Sequence, residues 1–346
     1  MRKHDLCAIL LSLCLLAGCS GGTASVTPSP RPTAAPVPGV GMEVKTGLAM
    51  VADLGQSKSA DGGQEGTVLA DMILVALTVT EKGVIDSCVI DGVRAQMGLD
   101  ASGRLTTAAD TKFPSKNELG ESYGMKGASS IGREWSEQAD AFARYAQGKT
   151  VEELKGMSLD ADGRPAEADL TGSVTLKVGN FLAAIEKAAA SAAYRGAQLG
   201  NELRLASITA ADKSRDAAGG EAGLVQISTT AAAVTLAGEN ITSCILDGIQ
   251  AETAFDTAGR LTGDLTAPIR SKNELGEEYG MKKSSAIGRE WNEQAAAFSE
   301  YVRGKTAGEV SRLSVTGEGR PSDADLAATV TIRVGDFLEL IQKAAG

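Results

Sequence analysis

Histidine is nearly absent from this sequence, since the chain of 346 residues contains one, His4. His4 lies in an apolar leader that we expect to be cleaved, so the mature chain would have no imidazole. That absence excludes Ser-His-Asp and Cys-His catalysis, HExxH zinc sites and histidine-based pH switches. Carboxylates, lysines and bound cofactors remain as candidates for reactivity.

Aromatic residues are scarce, at 4% of the chain, although hydrophobic residues make up 43%. The core must therefore be built mainly from Ala, Val, Leu and Ile. Ten of the thirteen aromatic side chains form five matched pairs in two repeats: Tyr123/Tyr279, Trp135/Trp291, Phe142/Phe298, Tyr145/Tyr301 and Phe181/Phe337. We expect these rings to anchor the core, and a ring-stacking ligand site is the alternative.

Cysteine and positive charge are also limited. Cys88 and Cys244 fall at the same place in the two repeats, and one cysteine per repeat does not make a disulfide framework. We predict a small buried strand residue in each copy, with a bridge between the copies or a reactive thiol as alternatives.

The net charge of −10 argues against DNA or RNA as a partner.

The N-terminus has the pattern of an export signal. Arg2 and Lys3 precede an apolar run from Leu6 to Leu16, which is too short to span a bilayer comfortably. The run ends in Leu-Ala-Gly before Cys19, which resembles the bacterial lipobox. The resemblance implies a signal peptide at 1–18 and acyl chains on Cys19 that hold the protein in membrane lipid, facing outside the cytoplasm. Residues 19–42 are rich in proline and predict an extended linker.

The rest of the chain is a duplication. Residues 87–188 align with residues 243–344 without a gap, and 53 of these 102 positions are identical. The match continues upstream with a slip of one residue. Units of this length are whole domains rather than solenoid repeats, so we expect repeat domain 1 at 43–190 and repeat domain 2 at 199–346.

Each repeat predicts an α+β fold with a small antiparallel sheet packed with helices. Residues 68–80 and 84–93 predict a hairpin, with equivalents at 231–236 and 241–249. Capping boxes at Ser115 and Thr150 indicate helix starts, and the spacing of apolar residues predicts a helix over 131–147. Residues 169–178 look extended, and residues 181–193 predict an amphipathic closing helix.

A glycine-rich polar segment at 116–135, repeated at 272–291, is a candidate anion site. Backbone N–H groups at a helix start, together with nearby cations, would form a cradle for phosphate. The alternative is a glycine-rich connection with solvated charges. The candidate binding residues in this segment and its twin are Lys126, Ser130, Arg133, Lys282 and Arg289. No metal site is predicted, because the Asp160 loop lacks the distal Glu of a calcium loop.

The segment from Asp169 to Thr175, and its twin from Asp325 to Thr331, precede the closing helices. The arrangement of hairpin, middle helices, Asp-initiated strand with threonine and closing helix resembles the FMN-binding domain of bacterial surface and respiratory flavoproteins. The resemblance implies that Thr175 and Thr331 carry FMN through a phosphoester installed by a flavin transferase. It also implies that Asp169 and Asp325 open each motif.

Two function classes follow from these patterns. The first is a membrane-anchored flavin-based electron carrier with two FMN-binding-like domains and a redox partner, in which the flavin supplies the chemistry. The alternative is a non-catalytic surface module that binds a ligand or has a structural role, without flavin. We expect no catalytic side chains, because the sequence offers no credible acid–base set for a hydrolase.

Overall fold

The structure is a computed structural model that describes residues 41–346. The predicted signal peptide, Cys19 and nearly all of the linker lie outside the described residues. Within residues 41–346, no helix is long and apolar enough to cross a membrane.

Long antiparallel strands form the centre of each copy. The strands are β1 Glu43–Asp53, β2 Gly66–Val79, β3 Ile85–Leu99, β4 Ala193–Gln198, β5 Glu202–Ala210, β6 Gly223–Ala237 and β7 Asn240–Phe255. In the first copy the strands give a sheet in the order β3-β2-β1-β4, and in the second copy a sheet in the order β5-β6-β7. Strand β4 follows the closing helix of the first copy and pairs with β1.

The central strands are buried on both faces, which explains the nearly continuous apolar run at 68–80. Along β2, Met72 and Leu74 enter one core, whereas Val75 and Leu77 enter a second core on the opposite face. This alternation follows from the two-residue period of a strand. The strands of the second copy divide in the same way.

The two sheets pack face to face around one core to which both copies contribute. Strand β1 contacts β7, and the equivalent strand β5 contacts β3, so the copies are related by an approximate twofold axis. Backbone hydrogen bonds repeat this symmetry: Ala60 donates its N–H to Gly259 at 2.9 Å, and Ala217 donates to Gly103 at 2.8 Å. The equivalent ion pairs Lys187–Glu274 and Lys343–Glu118 also join the copies.

Helices cover the outer face of each sheet. The helices are α1 Lys116–Leu119, α2 Trp135–Ala146, α3 Val151–Lys155, α4 Ala168–Thr171, α5 Gly179–Ser191, α6 Lys272–Leu275, α7 Trp291–Val302, α8 Ala307–Val310, α9 Ala324–Ala327 and α10 Gly335–Ala345. In the first copy α5 lies on β1 and β2 while α2 lies on β3, and in the second copy α10 and α7 take the equivalent places. The result is a four-layer α+β fold, so the predicted fold class is confirmed.

The matched tryptophan and phenylalanine residues are buried, as predicted, in the cores between sheet and helices, and the matched tyrosines are partly buried against those cores. Trp135 meets Phe181 edge to face with ring centroids 5.7 Å apart, and Trp291 meets Phe337 in the same way at 5.8 Å. These contacts fix the middle and closing helices of each copy against its sheet.

Two predictions of local structure were wrong. Helix α2 begins at Trp135 rather than at Ile131, because the Glu134 and Glu137 side chains form a capping box there. Residues 169–178 are not extended, because α4 makes a helical turn that places Leu170 in the core.

The structure also differs from the expectation of two separate domains. Residues 41–346 lie in one compact unit, since each copy covers the apolar inner face of the other copy's sheet. An isolated copy would expose that face to water, which is unfavourable in proportion to the apolar area.

We therefore predict that both copies unfold in one transition. Replacing Leu74 with Ala leaves a cavity in the shared core and should lower the free energy of unfolding by about 2–5 kcal/mol. Chemical denaturation followed by tryptophan fluorescence reports on each copy separately, because Trp135 and Trp291 are the two tryptophans of the chain.

The Trp135→Phe variant keeps only the fluorescence of the second copy, and the Trp291→Phe variant keeps only that of the first. When Leu74→Ala is added to each variant, both fluorescence transitions should move to the same lower denaturant midpoint. A second-copy signal that keeps its original midpoint would contradict the shared core.

Candidate functional site

Each copy has a cleft in its helical layer beside the predicted attachment threonine. The first-copy cleft has a volume of about 540 Å³, and Thr175 forms part of its wall. The second-copy cleft has a volume of about 410 Å³ and includes Thr331 at the equivalent place. The first-copy cleft is also lined by Met125, Ser129, Ser130, Asp160, Arg164 and Thr171.

A buried glutamine holds each threonine in place. The Thr175 backbone N–H and hydroxyl both donate to Gln138 Oε1, at 2.8 and 3.1 Å. The Gln138 amide group in turn donates to Ser129 Oγ at 3.2 Å. Gln294 makes the equivalent bonds to Thr331, at 2.7 and 3.2 Å. The structure thus brings together two segments that the sequence analysis treated as separate sites.

The glutamines were missed by the sequence analysis. Gln138 is fully buried on α2, between Trp135 and Phe142 on the same helix face. A polar residue at such a position predicts a specific hydrogen-bonding role, because a buried amide without partners is unfavourable. The identity of its partner, Thr175, depends on tertiary contact.

Two backbone amides of the glycine-rich segment have an internal acceptor. Glu134 is buried, and its carboxylate accepts hydrogen bonds from the N–H groups of Met125 and Lys126, both at 2.9 Å. Glu290 accepts from the equivalent amides at 2.8 and 2.9 Å. These amides precede the helix-start amides at 129–132 that form the predicted anion cradle, so the cradle stays a prediction.

The predicted cations of this segment do not converge on the clefts. Lys126 is exposed and lies 3.6 Å from Glu121, and Lys282 lies 3.3 Å from Glu277. Neither these lysines nor Arg133 and Arg289 line a cleft, whereas Ser130 does. The second copy has Ala286 in place of Ser130, so this hydroxyl belongs to one cleft.

Asp169 and Asp325 do not line the clefts either. Both are exposed, on the short helices α4 and α9. They lie near tyrosines instead: burial raises the pKa of Tyr145 and of Tyr301, and the Asp169 and Asp325 charges act in the same direction.

The Asp160 loop is a closed turn. Asp160 Oδ1 accepts the backbone N–H groups of Asp162 and Arg164, at 2.9 and 2.8 Å, and the bond from Arg164 helps to hold the pKa of Asp160 below its ordinary value. The acceptor capacity of this oxygen is thus used within the turn.

Cys88 and Cys244 are buried free thiols, as predicted. Burial raises the pKa of each to about 12, so the reactive thiolate is disfavoured.

A lysine lies against aromatic rings in each copy, and it is buried in the first copy and half-buried in the second. Lys116 Nζ is 3.0 Å from Asp71 Oδ1 and 4.8 Å from the Trp135 ring centroid. Lys272 has the equivalent place over Trp291, at 4.7 Å, but Ser228 stands where the first copy has Asp71. Burial lowers the pKa of Lys272 to about 8.

Comparison with known proteins gives one short similarity. The chain is 38% identical over 82 residues to a chlorophenol reductase of Desulfitobacterium hafniense. The similar stretch covers 22% of this chain and 25% of that protein, so the chain spans about a quarter of its relative's length. The chain matches no known protein family. No solved structure matches it.

The geometry itself defines a class of protein. It is a duplicated α+β scaffold with one shared core and an equivalent cleft in each copy. The clefts are organised by the Gln138–Thr175 and Gln294–Thr331 hydrogen bonds.

We predict that Gln138→Leu destabilises the first-copy cleft. The substitution removes the acceptor of the Thr175 N–H and hydroxyl, so the free energy of unfolding should fall by about 1–3 kcal/mol. Denaturation measures the loss. Gln147→Leu, at the exposed end of the same helix, is the matched control and should change stability little. Equal effects of the two substitutions would contradict the proposed role of Gln138.

We also predict that Ser228→Asp restores the missing ion pair and raises the pKa of Lys272 from about 8 towards 10.5. NMR titration of the lysine side chains measures the change. Because the folded state binds fewer protons when this pKa is depressed, Lys272 makes stability rise between about pH 8 and 10.5. Ser228→Asp should flatten that rise, and an unchanged Lys272 titration would contradict the assignment.

Proposed function

We propose that this protein is a membrane-anchored, extracytoplasmic binding protein that presents two equivalent ligand clefts. The observation that carries the proposal is the repetition of one cleft, with Thr175 or Thr331 in its wall, on a scaffold that the shared core makes rigid. The volumes of the two clefts lie in the range of small-molecule binding sites.

Binding without catalysis fits the side chains present in the clefts. No histidine occurs in residues 41–346. Asp160 is the carboxylate in the first cleft, and it is engaged by its own turn. The second copy has Thr316 at that position, so no carboxylate chemistry is common to both copies.

FMN is the proposed occupant that the sequence resemblance indicates. A threonine hydroxyl at each cleft fits a covalent attachment point, and the relative's name, a reductase, is compatible with redox chemistry. The amides of Lys126 and Lys282 are not free for the phosphate, because Glu134 and Glu290 accept them, whereas Arg164 lines the first cleft and Arg320 and Arg333 line the second. The general binding function does not depend on a flavin.

Methionine methyl groups provide a direct test of binding. Met125 lines the first cleft and Met281 the second, while Met72 and Met97 are in the shared core. We predict that FMN, added to residues 42–346 with methyl-labelled methionine, shifts the Met125 and Met281 NMR signals and leaves the core methionines unchanged. If a library of small fragments and FMN both leave the two cleft signals unmoved, the binding function is contradicted.

Covalent attachment has a separate test. Coexpression with a flavin transferase should give a yellow protein with the mass increment of two FMN groups, and Thr175→Ala or Thr331→Ala should each remove one. Thr171→Ala, in the same cleft as Thr175, is the control and should retain both. An unmodified mass would contradict covalent attachment of flavin. Ligand binding would still be decided by the NMR experiment.

The anchor is tested through Cys19. We predict that Cys19→Ser abolishes incorporation of a clickable palmitate analogue and moves the protein from the membrane fraction to the soluble fraction. Cys14→Ser, in the apolar leader, is the control and should keep both properties. Continued labelling of the Cys19→Ser protein would contradict the assignment.

A further inference from the structure

A third cleft lies where the two copies meet. Its volume is about 530 Å³, and we name it the junction cleft. The first copy contributes Leu48 and Ala49 of β1 together with the end of α5, and the second contributes Ile245 and Leu246 of β7 together with α7. These side chains give the cleft an apolar wall.

Three buried polar atoms of the junction cleft have no hydrogen-bond partner. They are Arg195 Nε, Asn292 Oδ1 and Ser299 Oγ, and residues 41–346 contain no other buried side-chain nitrogen or oxygen without a partner. Ser299 is 5% exposed. Buried polar atoms are rarely left unpaired, because each unpaired atom loses its hydration without compensation. Their concentration in one cleft indicates that a ligand supplies the missing partners.

The equivalent place on the other side of the molecule lacks these groups. That cleft has a volume of about 360 Å³ and carries Ser136 and Ala143 where the junction cleft has Asn292 and Ser299. Arg195 belongs to β4, and the second sheet has no strand equivalent to β4 in the described residues. The unpaired polar set is therefore particular to the junction cleft.

One cation of the junction cleft, Arg195, stands apart from the ion pairs and hydrogen bonds of the other charged groups in its wall. Lys187 and Glu274 pair with each other at 2.7 Å, and Asp247 Oδ1 accepts the backbone N–H groups of Gly248 and Asn273 at 2.7 and 3.0 Å. Arg195 has no carboxylate within ion-pair distance among the described residues. It is the cation of the cleft that lacks a counter-charge.

The Ser299 hydroxyl lies near the Cys244 thiol, whose pKa it acts to lower against the larger effect of burial. A thiol is a weak hydrogen-bond acceptor, so Ser299 stays available to a stronger one. The cleft thus offers a cation and a hydroxyl for an anionic oxygen, and an amide oxygen for a donor.

We propose that the junction cleft binds a small aliphatic α-hydroxycarboxylate. Arg195 pairs with the carboxylate, Ser299 donates to one of its oxygens, and Asn292 Oδ1 accepts from the ligand's hydroxyl. The aliphatic body lies against the apolar wall formed by Leu48, Ile245 and Leu246. The site is separate from the clefts beside Thr175 and Thr331, so its failure and the failure of the proposed function are distinguishable.

Calorimetric titration of residues 42–346 with leucic acid tests the proposal. Two matched probes separate the recognised groups: isocaproate lacks the hydroxyl, and leucic acid amide lacks the charge. We expect leucic acid to bind with a stoichiometry of one, isocaproate to bind about fivefold more weakly, and the amide to bind about tenfold more weakly or worse. Absence of leucic acid binding at millimolar concentrations overturns the proposal, as does equal binding of all three probes.

Variants locate the site. Ser299→Ala and Asn292→Ser install the side chains that the first copy carries at the equivalent positions, so we expect both proteins to fold. Each should weaken leucic acid binding by about fivefold, and Arg195→Gln by about tenfold or more. Ser136→Asn in the first copy is the matched control and should not change the affinity.

Suppose that Ser136→Asn weakens leucic acid binding as much as Asn292→Ser does, and that both variants keep the unfolding midpoint of the unsubstituted protein. That result would overturn the assignment to the junction cleft. The assignment is also overturned if leucic acid shifts the NMR signals of Met125 or Met281 and leaves the resonances near Ser299 unchanged.

Discussion

The burial of two apolar sheet faces against each other is the constraint on which the rest of this structure depends. The inner faces carry Met72, Leu74, Met97 and their second-copy counterparts, and burying each large side chain contributes about 1.5–3 kcal/mol. Because one copy is the cover of the other, the duplication produces a single folding unit. The same packing sets the relative position of all three clefts and places Arg195 of β4 beside helix α7.

Internal carboxylates and amides determine what the clefts beside the threonines can recognise. Glu134 and Glu290 satisfy the loop amides that would otherwise attract an anion, and Gln138 and Gln294 hold the threonines. The side chains and the shape of these clefts are thus available for recognition, while these amides are not. The closed polar networks also make the cleft walls stiff, since each buried group is engaged.

Differences between the copies are concentrated in partners rather than in backbone. Lys116 pairs with Asp71, whereas Ser228 stands at the equivalent sheet position beside Lys272, whose pKa burial lowers to about 8. At the junction, Asn292 and Ser299 stand where the first copy has Ser136 and Ala143. One scaffold thus supports different electrostatic environments. Exchanging a side chain at a partly buried polar position leaves the backbone in place but changes which charged groups have a partner.

The sequence by itself determined the duplication, the α+β class, the hairpins, the capping boxes at Ser115 and Thr150 and the buried aromatic anchors, because these depend on local periodicity and hydrogen bonds close in sequence. The helical turn at α4 was not predicted from the sequence, because it depends on the burial of Leu170 in the core, which is a tertiary contact. Only the tertiary structure decided that Glu134 accepts the Met125 and Lys126 amides, that Gln138 reaches Thr175, and that Arg195, Asn292 and Ser299 share one cleft. These contacts join residues far apart in the chain, and the packing of the two sheets brings them together.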